Sequence, residues 1–287
     1  MAEVIASKSV GRVKHVVDVL IEERAPNLAA HWSWPVVRPL LNGVLGYDRA
    51  VAMANAIAPL PGDAALAYIS DLLKLKLDVQ GLENVPASGR CVVVSNHPTG
   101  IADGMAMFDV LRPLRPDVCF FANADAHRVC PGFHQTLIPV EWVYEKRTPA
   151  KTRDTLRAAV QALKDERPLV LFPAGRLARK RDGKLIDPEW SNTCASLSRK
   201  HDAPIVPVHM SGPWSFWFHL FDGVSGELRD ITLFHEFLNK AGRTFSLIVG
   251  PTIPAEAMEG DATLRARDLK FYIETVLVHG PQTKFAV

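Results

Sequence analysis

Two residues, His97 and Asp103, stand at a spacing that suits proton transfer. They lie in Cys91-Val-Val-Val-Ser-Asn-His-Pro-Thr-Gly-Ile-Ala-Asp-Gly104, where a β-branched run stops at Asn96-His97-Pro98 and an apolar, helix-like segment follows. A histidine at the lip of a buried strand sits where α/β sheets open toward their ligands. A carboxylate about one helical turn further on can reach back to one ring nitrogen. That contact fixes the tautomer and stabilises the imidazolium formed when the other nitrogen takes a proton. The pattern predicts general-base catalysis by His97, oriented by Asp103. The plainer alternative is a loop histidine, with Asp103 favouring a helix start through the macrodipole.

Two further segments are candidate walls for such a site. Leu169-Val-Leu-Phe172 reads as a buried strand ending in Pro173-Ala-Gly-Arg176, and Ile205-Val-Pro-Val208 is another, followed by His209. Gly175 lets backbone N–H groups approach a ligand closely. The run Arg176-Leu-Ala-Arg-Lys-Arg-Asp-Gly-Lys184 carries five cations against one acid. A charge run is usually a solvated face, the reading taken for Lys180 to Lys184. Arg176 and Arg179 lie nearer the strand end, where an anionic group would be held.

The elements that must position these residues are legible in the periodicities. Residues 10 to 73 read as helical, with Val13, Val16, Val17, Leu20 and Ile21 at helical spacing and a second amphipathic stretch from Ala64 to Leu73. Pro35, Pro39, Pro59 and Pro61 divide the region into short helices. At Lys74 the period changes: Leu75, Leu77 and Val79 alternate with Lys74, Lys76 and Asp78, as in a half-buried strand. Beyond it, strands are predicted at 90–94, 118–122, 137–144, 169–172, 205–208 and 245–249. Pro139 makes the strand over 137–144 either irregular or an edge strand. Thr148-Pro149 and Asp187-Pro188 both read as helix starts, cap followed by proline. The alternation predicts an α/β domain over 74–287, its mixed, largely parallel sheet flanked by helices, behind an N-terminal helical unit over 1–73.

Composition narrows the function classes. A 48% hydrophobic, 22% charged chain is globular, and a net charge of +2 argues against nucleic acid as a partner. Cys91, Cys119, Cys130 and Cys194 show no metal-ligand spacing and read as reduced, buried thiols. His127, His134 and Asp125 lack zinc-site spacing, so no metal is predicted. The N-terminus lacks the order of a secretory signal, and no stretch reaches the roughly 18 apolar residues of a spanning helix. Five aromatics crowd the positions from Trp214 to Phe221, and Trp32 and Trp34 sit beside His31 and Arg38. Either group suits a membrane interface or an interior.

Taken in order, these blocks resemble the glycerolipid acyltransferases, the phosphate and lysophospholipid acyltransferases, and within them the bacterial branch labelled hemolysin-like. That family carries a histidine–aspartate block, an arginine-bearing block, an F-P-E-G block and a V-P-V block, with counterparts here over residues 90 to 210. The chain departs from the pattern in three places. Five residues separate His97 from Asp103 rather than four, with Gly100 placed to absorb the extra one; Ala174 stands in place of Glu; and Tyr144-Glu-Lys-Arg147 stands in the second block. The resemblance implies direct attack of an acceptor hydroxyl on an acyl thioester, with His97 as base. A covalent route through Ser95 is the disfavoured alternative.

The resemblance further implies that Lys146 or Arg147, with Gly175, Arg176 and Arg179, holds a phosphate or the donor's anionic head. Oxyanion donors are expected near Gly100 or Gly175. No cofactor is expected to be bound; acyl-CoA or acyl carrier protein serves as co-substrate. The partners implied are a membrane surface, at the cytoplasmic face of an inner membrane, and a lysophospholipid acceptor, most simply lysophosphatidic acid. Two alternatives remain open at the level of sequence: a lyso-ornithine-lipid acceptor, or a non-catalytic lipid-binding protein.

Overall fold

The computed structural model describes residues 14–141, 147–181 and 184–286. Val13 and Lys146 therefore lie outside the described residues. The strands are β1 (Lys76–Gln80), β2 (Cys91–Ser95), β3 (Cys119–Asn123), β4 (Leu137–Val140), β5 (Pro168–Leu171), β6 (Arg179–Arg181), β7 (Lys184–Ile186), β8 (Ile205–Ser211) and β9 (Thr244–Val249). Seven of them form one sheet in the order β1-β9-β8-β2-β5-β3-β4, and β6 and β7 pair as a separate antiparallel hairpin. From β8 through β2, β5 and β3 to β4 all neighbours are parallel. Only the β8–β9 pairing is antiparallel, so the sheet is mixed and largely parallel, as the periodicities predicted.

Before the sheet come α1 (Val16–Arg24), α2 (Pro26–Ala30), α3 (Trp34–Val44), α4 (Tyr47–Ile57) and α5 (Gly62–Leu73). The proline-divided helical region is present, except that Pro39 lies inside α3 instead of ending it. α5 ends at Leu73 and β1 begins at Lys76, and the helices before the sheet share a core with it. Val17, Leu20, Met53, Ile57, Leu66 and Ile69 pack in one cluster with Val93, Phe120 and Phe245. Apolar area removed from water is the main stabilising term for such a cluster.

The later helices are α6 (Ile101–Leu111), α7 (Asp125–Val129), α8 (Pro149–Lys164), α9 (Thr193–His201), α10 (Phe216–Asp222), α11 (Gly226–Ile231), α12 (Leu233–Leu238) and α13 (Ala262–Phe271). Thr148 caps α8 as predicted, its Oγ1 accepting from Lys151 N at 3.2 Å with Pro149 in the first turn. Asp187-Pro188 starts no helix: α9 begins at Thr193 behind Asn192. The expected cap fails because the Asp187 carboxylate is used elsewhere, on the histidine loop.

β2 is buried along its whole length, between β8 and β5. Its side chains alternate between two cores, Cys91 and Val93 on the α6 side and Val92 and Val94 on the side of α8, α9 and α13. The chain leaving β2 enters α6 in the first core, and the chain leaving β5 reaches α9 in the second. Connections that diverge to opposite faces open a crevice at the carboxyl ends of the strands between them. Residues 96–100 and 172–178 follow the carboxyl ends of β2 and β5 there.

Candidate active site

Asn96 ends β2 with a clamp. Its Oδ1 accepts from Met210 N at 2.7 Å and its Nδ2 donates to Met210 O at 2.8 Å, tying the strand end to β8. His97 follows, held on four sides. Its carbonyl accepts from Ala178 N at 2.9 Å. Its N–H is shared between both carboxylate oxygens of Asp187 at 3.2 Å each. Its ring stacks on Phe172, with centroids 4.5 Å apart and planes inclined by 23°. Its Nδ1 lies 2.8 Å from Asp103 Oδ2.

Asp103 is fully buried and collects donors. Besides His97 Nδ1, Oδ2 accepts from Thr99 N at 2.9 Å and Gly100 N at 3.0 Å, while Oδ1 accepts from the Thr99 hydroxyl. An ionised carboxylate only accepts, so the facing Nδ1 carries the proton and Nε2 presents its lone pair. Nε2 has no hydrogen-bond partner among the described residues, and the ring is 17% exposed. The arrangement is an oriented base open to the crevice.

Gly100 makes the five-residue spacing possible. It adopts φ +99°, which L side chains rarely reach, and a Cβ there would lie 2.9 Å from Leu177 Cδ2. Its N–H and that of Gly175 are both engaged, on Asp103 and on Phe172 O at 3.0 Å. Neither of these two N–H groups is free to hold an oxyanion in this conformation. Ser95 is buried, and its hydroxyl donates to Asn96 O at 3.0 Å.

The cationic candidates are dispersed. Arg176 is exposed, directly after the tight turn that Gly175 closes with φ +62°. Arg179, in the β6–β7 hairpin, is paired with Asp222 of α10, which Arg229 also binds at 2.9 Å. Arg147 is exposed and donates to Glu141 O at 3.0 Å just beyond β4. β4 stands three strands from β2, about 14 Å at ordinary strand spacing. The site therefore brings together His97 and Asp103, with Gly175, Arg176 and Arg179 on the neighbouring turn and hairpin and Arg147 further along the same edge. His127, His134 and Asp125 form no ligand cluster, and among the described residues no group of three such side chains suits a metal.

Sequence reasoning missed three supports: Asn96, Phe172 and Asp187. Asp187 carried a usable signal. A capping aspartate should be followed at once by apolar helical spacing, and the regular helix here starts only at Thr193. The Asn96 clamp and the Phe172 stack depend on pairings between strands distant in sequence and left no local trace.

A buried strand ending in an oriented histidine base, at the crevice of a largely parallel sheet, defines a transferase or hydrolase working on an activated acyl or related group. Residues 76–211 match the Acyltransferase family. That match spans just under half of the chain, and with the relatives that follow it makes the protein an O-acyltransferase of lipid metabolism. It is 28% identical over 200 residues to a lyso-glycine lipid O-acyltransferase of Phocaeicola vulgatus, covering 67% of this chain and 70% of that protein. It is 26% identical over 254 residues to a lyso-glycine lipid O-acyltransferase of Bacteroides thetaiotaomicron, covering 86% and 91%. Among solved structures it is similar to the 1-acyl-sn-glycerophosphate (LPA) acyltransferase PlsC of Thermotoga maritima. That likeness has 15% identity and a TM-score of 0.47 over 90% of this chain and 97% of that one. The family match and the two named relatives support the enzymatic reading over the non-catalytic one.

Proposed function

We propose that the protein transfers a fatty acyl group from acyl-CoA or acyl carrier protein to the hydroxyl of a lyso-lipid whose head group is an amino acid. The oriented base carries the reading: His97 Nε2 takes the acceptor's hydroxyl proton as its oxygen attacks the thioester carbonyl. Asp103, 2.8 Å from Nδ1, offsets the imidazolium charge that results. Collapse of the tetrahedral intermediate expels the thiolate, and the proton on Nε2 passes to the departing sulfur, leaving ester, thiol and the original base. No covalent enzyme intermediate is required.

Two observations favour an amino-acid head over the phosphate of lysophosphatidic acid. Both curated relatives are named for a lyso-glycine lipid. The hairpin cation nearest α10, Arg179, is already matched by Asp222, a pairing that suits a singly charged or zwitterionic head better than a phosphate dianion. Arg176 remains exposed for the acceptor's or donor's anionic group, with Arg147 as an outer candidate; Lys146 stays a candidate from the sequence alone.

The lipid reaches this site from a membrane surface. No helix among the described residues is long and apolar enough to cross a membrane. Val36, Leu40 and Val44 recur every four residues along α3 and are 69%, 69% and 57% exposed. Phe216 and Leu220 are exposed on α10. The two helices are joined through α2 and α11, where Glu227 accepts from the N–H groups of Asn27 and Leu28. We place this apolar face on the lipid, at the cytoplasmic side of an inner membrane.

The test is thioester consumption by purified protein with acyl-CoA or acyl carrier protein and a panel of lyso-lipids, beside His97→Ala. Turnover that requires a lyso-glycine or lyso-ornithine lipid, and falls at least a thousandfold in the variant, is expected. Preference for lysophosphatidic acid would overturn the acceptor assignment. Undiminished turnover by His97→Ala would overturn the base.

A further inference from the structure

Behind the histidine loop lies a second buried carboxylate that the reaction as described leaves without a task. Asp187 is 4% exposed, and its oxygens accept from His97 N at 3.2 Å each and from Trp190 Nε1 at 3.0 Å. Its own N–H donates to Glu274 Oε1 at 2.9 Å. Glu274 sits in a π-helical turn, Tyr272–Val276, that follows α13, and its Oε2 pairs with Lys270 at 2.5 Å. A chain of contacts thus runs from the last helical segment, through Glu274 and Asp187, to the peptide N–H of the base itself.

We propose that Asp187 is a positioning residue of the acyl-transfer centre, its ionised carboxylate fixing the backbone of His97 and countering the charge that the ring gains when it takes the acceptor's proton. The inference rests on His97 being the base. The two carboxylates divide the work. Asp103 holds the ring through Nδ1, and Asp187 holds the main chain from which the ring projects, leaving Nε2 the free atom. A ring fixed at its nitrogen alone would still swing with its backbone, and small displacements of a base weaken catalysis steeply.

The charges around Asp187 set how readily it ionises. Burial is the largest influence and pushes the carboxyl up to about 7; Glu274 pushes the same way, while His97 and the Trp190 N–H draw it down. Asp103 lies beyond the His97 ring, Lys270 beyond Glu274, and His209 on β8 donates to Ile273 O at 2.9 Å beside Glu274. Protonation places an O–H among N–H donors and removes one acceptor from the His97 N–H. Turnover therefore rises with pH as Asp187 loses its proton.

The experiment compares Asp187→Asn, Glu274→Gln and Trp190→Phe with the unaltered protein and His97→Ala. Steady-state rates are taken across pH 5 to 9 with the thioester and lyso-lipid panel, and folding is checked by circular dichroism. Asp187→Asn should lower kcat about tenfold with little change in KM, as loss of an outer support typically does. Glu274→Gln keeps the acceptor oxygen but removes a like charge, so the rise of kcat should move to lower pH. Trp190→Phe removes a hydrogen bond to the ionised form, so the rise should move to higher pH. A merely structural Asp187 would change melting temperature and leave both profiles in place.

A folded Asp187→Asn with normal kcat, or unmoved profiles in the other two variants, overturns the proposal. Should Asp187→Asn fail to fold, the opposite shifts decide alone. His97→Ala separates the two readings. Its full activity would refute the base, whereas its inactivity beside unaffected Asp187, Glu274 and Trp190 variants would refute only the role of Asp187.

Discussion

The histidine loop and the basic hairpin lie on the same crevice and are built on opposite lines. In the loop, the side chains of Asn96, Thr99 and Asp103 are all hydrogen-bonded, and His97 is held at its N–H, its carbonyl, its ring face and Nδ1. Across from it, Arg176 is exposed, and Arg179 reaches a partner only through an ion pair with another surface segment. The proposed base is over-determined, which would keep reorganisation in the reaction small. The residues proposed for the lipid head remain adjustable.

The contrast breaks most sharply at Asp103. Asparagine there can keep its oxygen toward His97 Nδ1, Thr99 N and Gly100 N, with its N–H₂ donating to the Thr99 hydroxyl, so the shape survives and the negative charge is lost. The imidazolium would then form without its counter-charge. We expect Asp103→Asn to reduce kcat at least about a hundredfold and to lower stability by about 1 kcal/mol, as charge-assisted hydrogen bonds become neutral ones. Arg176→Ala, on the other side of the crevice, should act on KM for its substrate and leave stability unchanged. Equal effects of the two changes on kcat would abolish the distinction between a fixed centre and an adjustable rim.

The same contrast explains what was legible in the sequence. His97 and Asp103 stand on one strand end and the following helix, so spacing alone joins them, and the strands were readable because each is a compact run with its own period. The glycine at position 100 was legible for the same reason, since its unusual φ is a local demand. Asn96 acts through Met210 on β8, Phe172 through the β2–β5 pairing, and Asp187 through a loop that reads as a helix start. Those supports depend on strand order, which sequence spacing does not encode. The rim was less legible: Arg176 and Arg179 are equivalent as sequence, and the approach of α10 to the hairpin gives one of them a carboxylate partner.

The second expected effect is on stability. The folded Asp187 carboxyl holds its proton up to about 7, against 3.8 for an ordinary aspartate. Folding therefore takes up a proton in that window, and stability falls as pH rises through it, by at most about 1.4 kcal/mol per pH unit. It is fully present below about 4 and lost above about 7. Asp187→Asn has no such proton, so its melting temperature should gain on the unaltered protein's from pH 5 to pH 8. Parallel curves would mean that Asp187 stays ionised throughout, and the fixed centre would then carry no cost in stability at neutral pH.

The smallest effect expected is at the apolar face of α3. Leu40 points into solvent, while Arg38 beside it is tied to Asp18 and Glu22 of α1, so a charge at position 40 should leave the fold intact. Burying one leucine side chain in the interface is worth about 2 kcal/mol at most, and adding a carboxylate opposes anionic lipid. Leu40→Glu should weaken binding to vesicles containing phosphatidylglycerol by about tenfold, while turnover of acceptor presented in detergent micelles stays normal. Binding that stays unchanged would move the lipid-facing surface away from α3, leaving α10 beside the histidine loop to meet the membrane. A loss of micellar turnover instead would show that α3 shapes the site itself, and the line between a rigid centre and a compliant rim would have to be drawn further out.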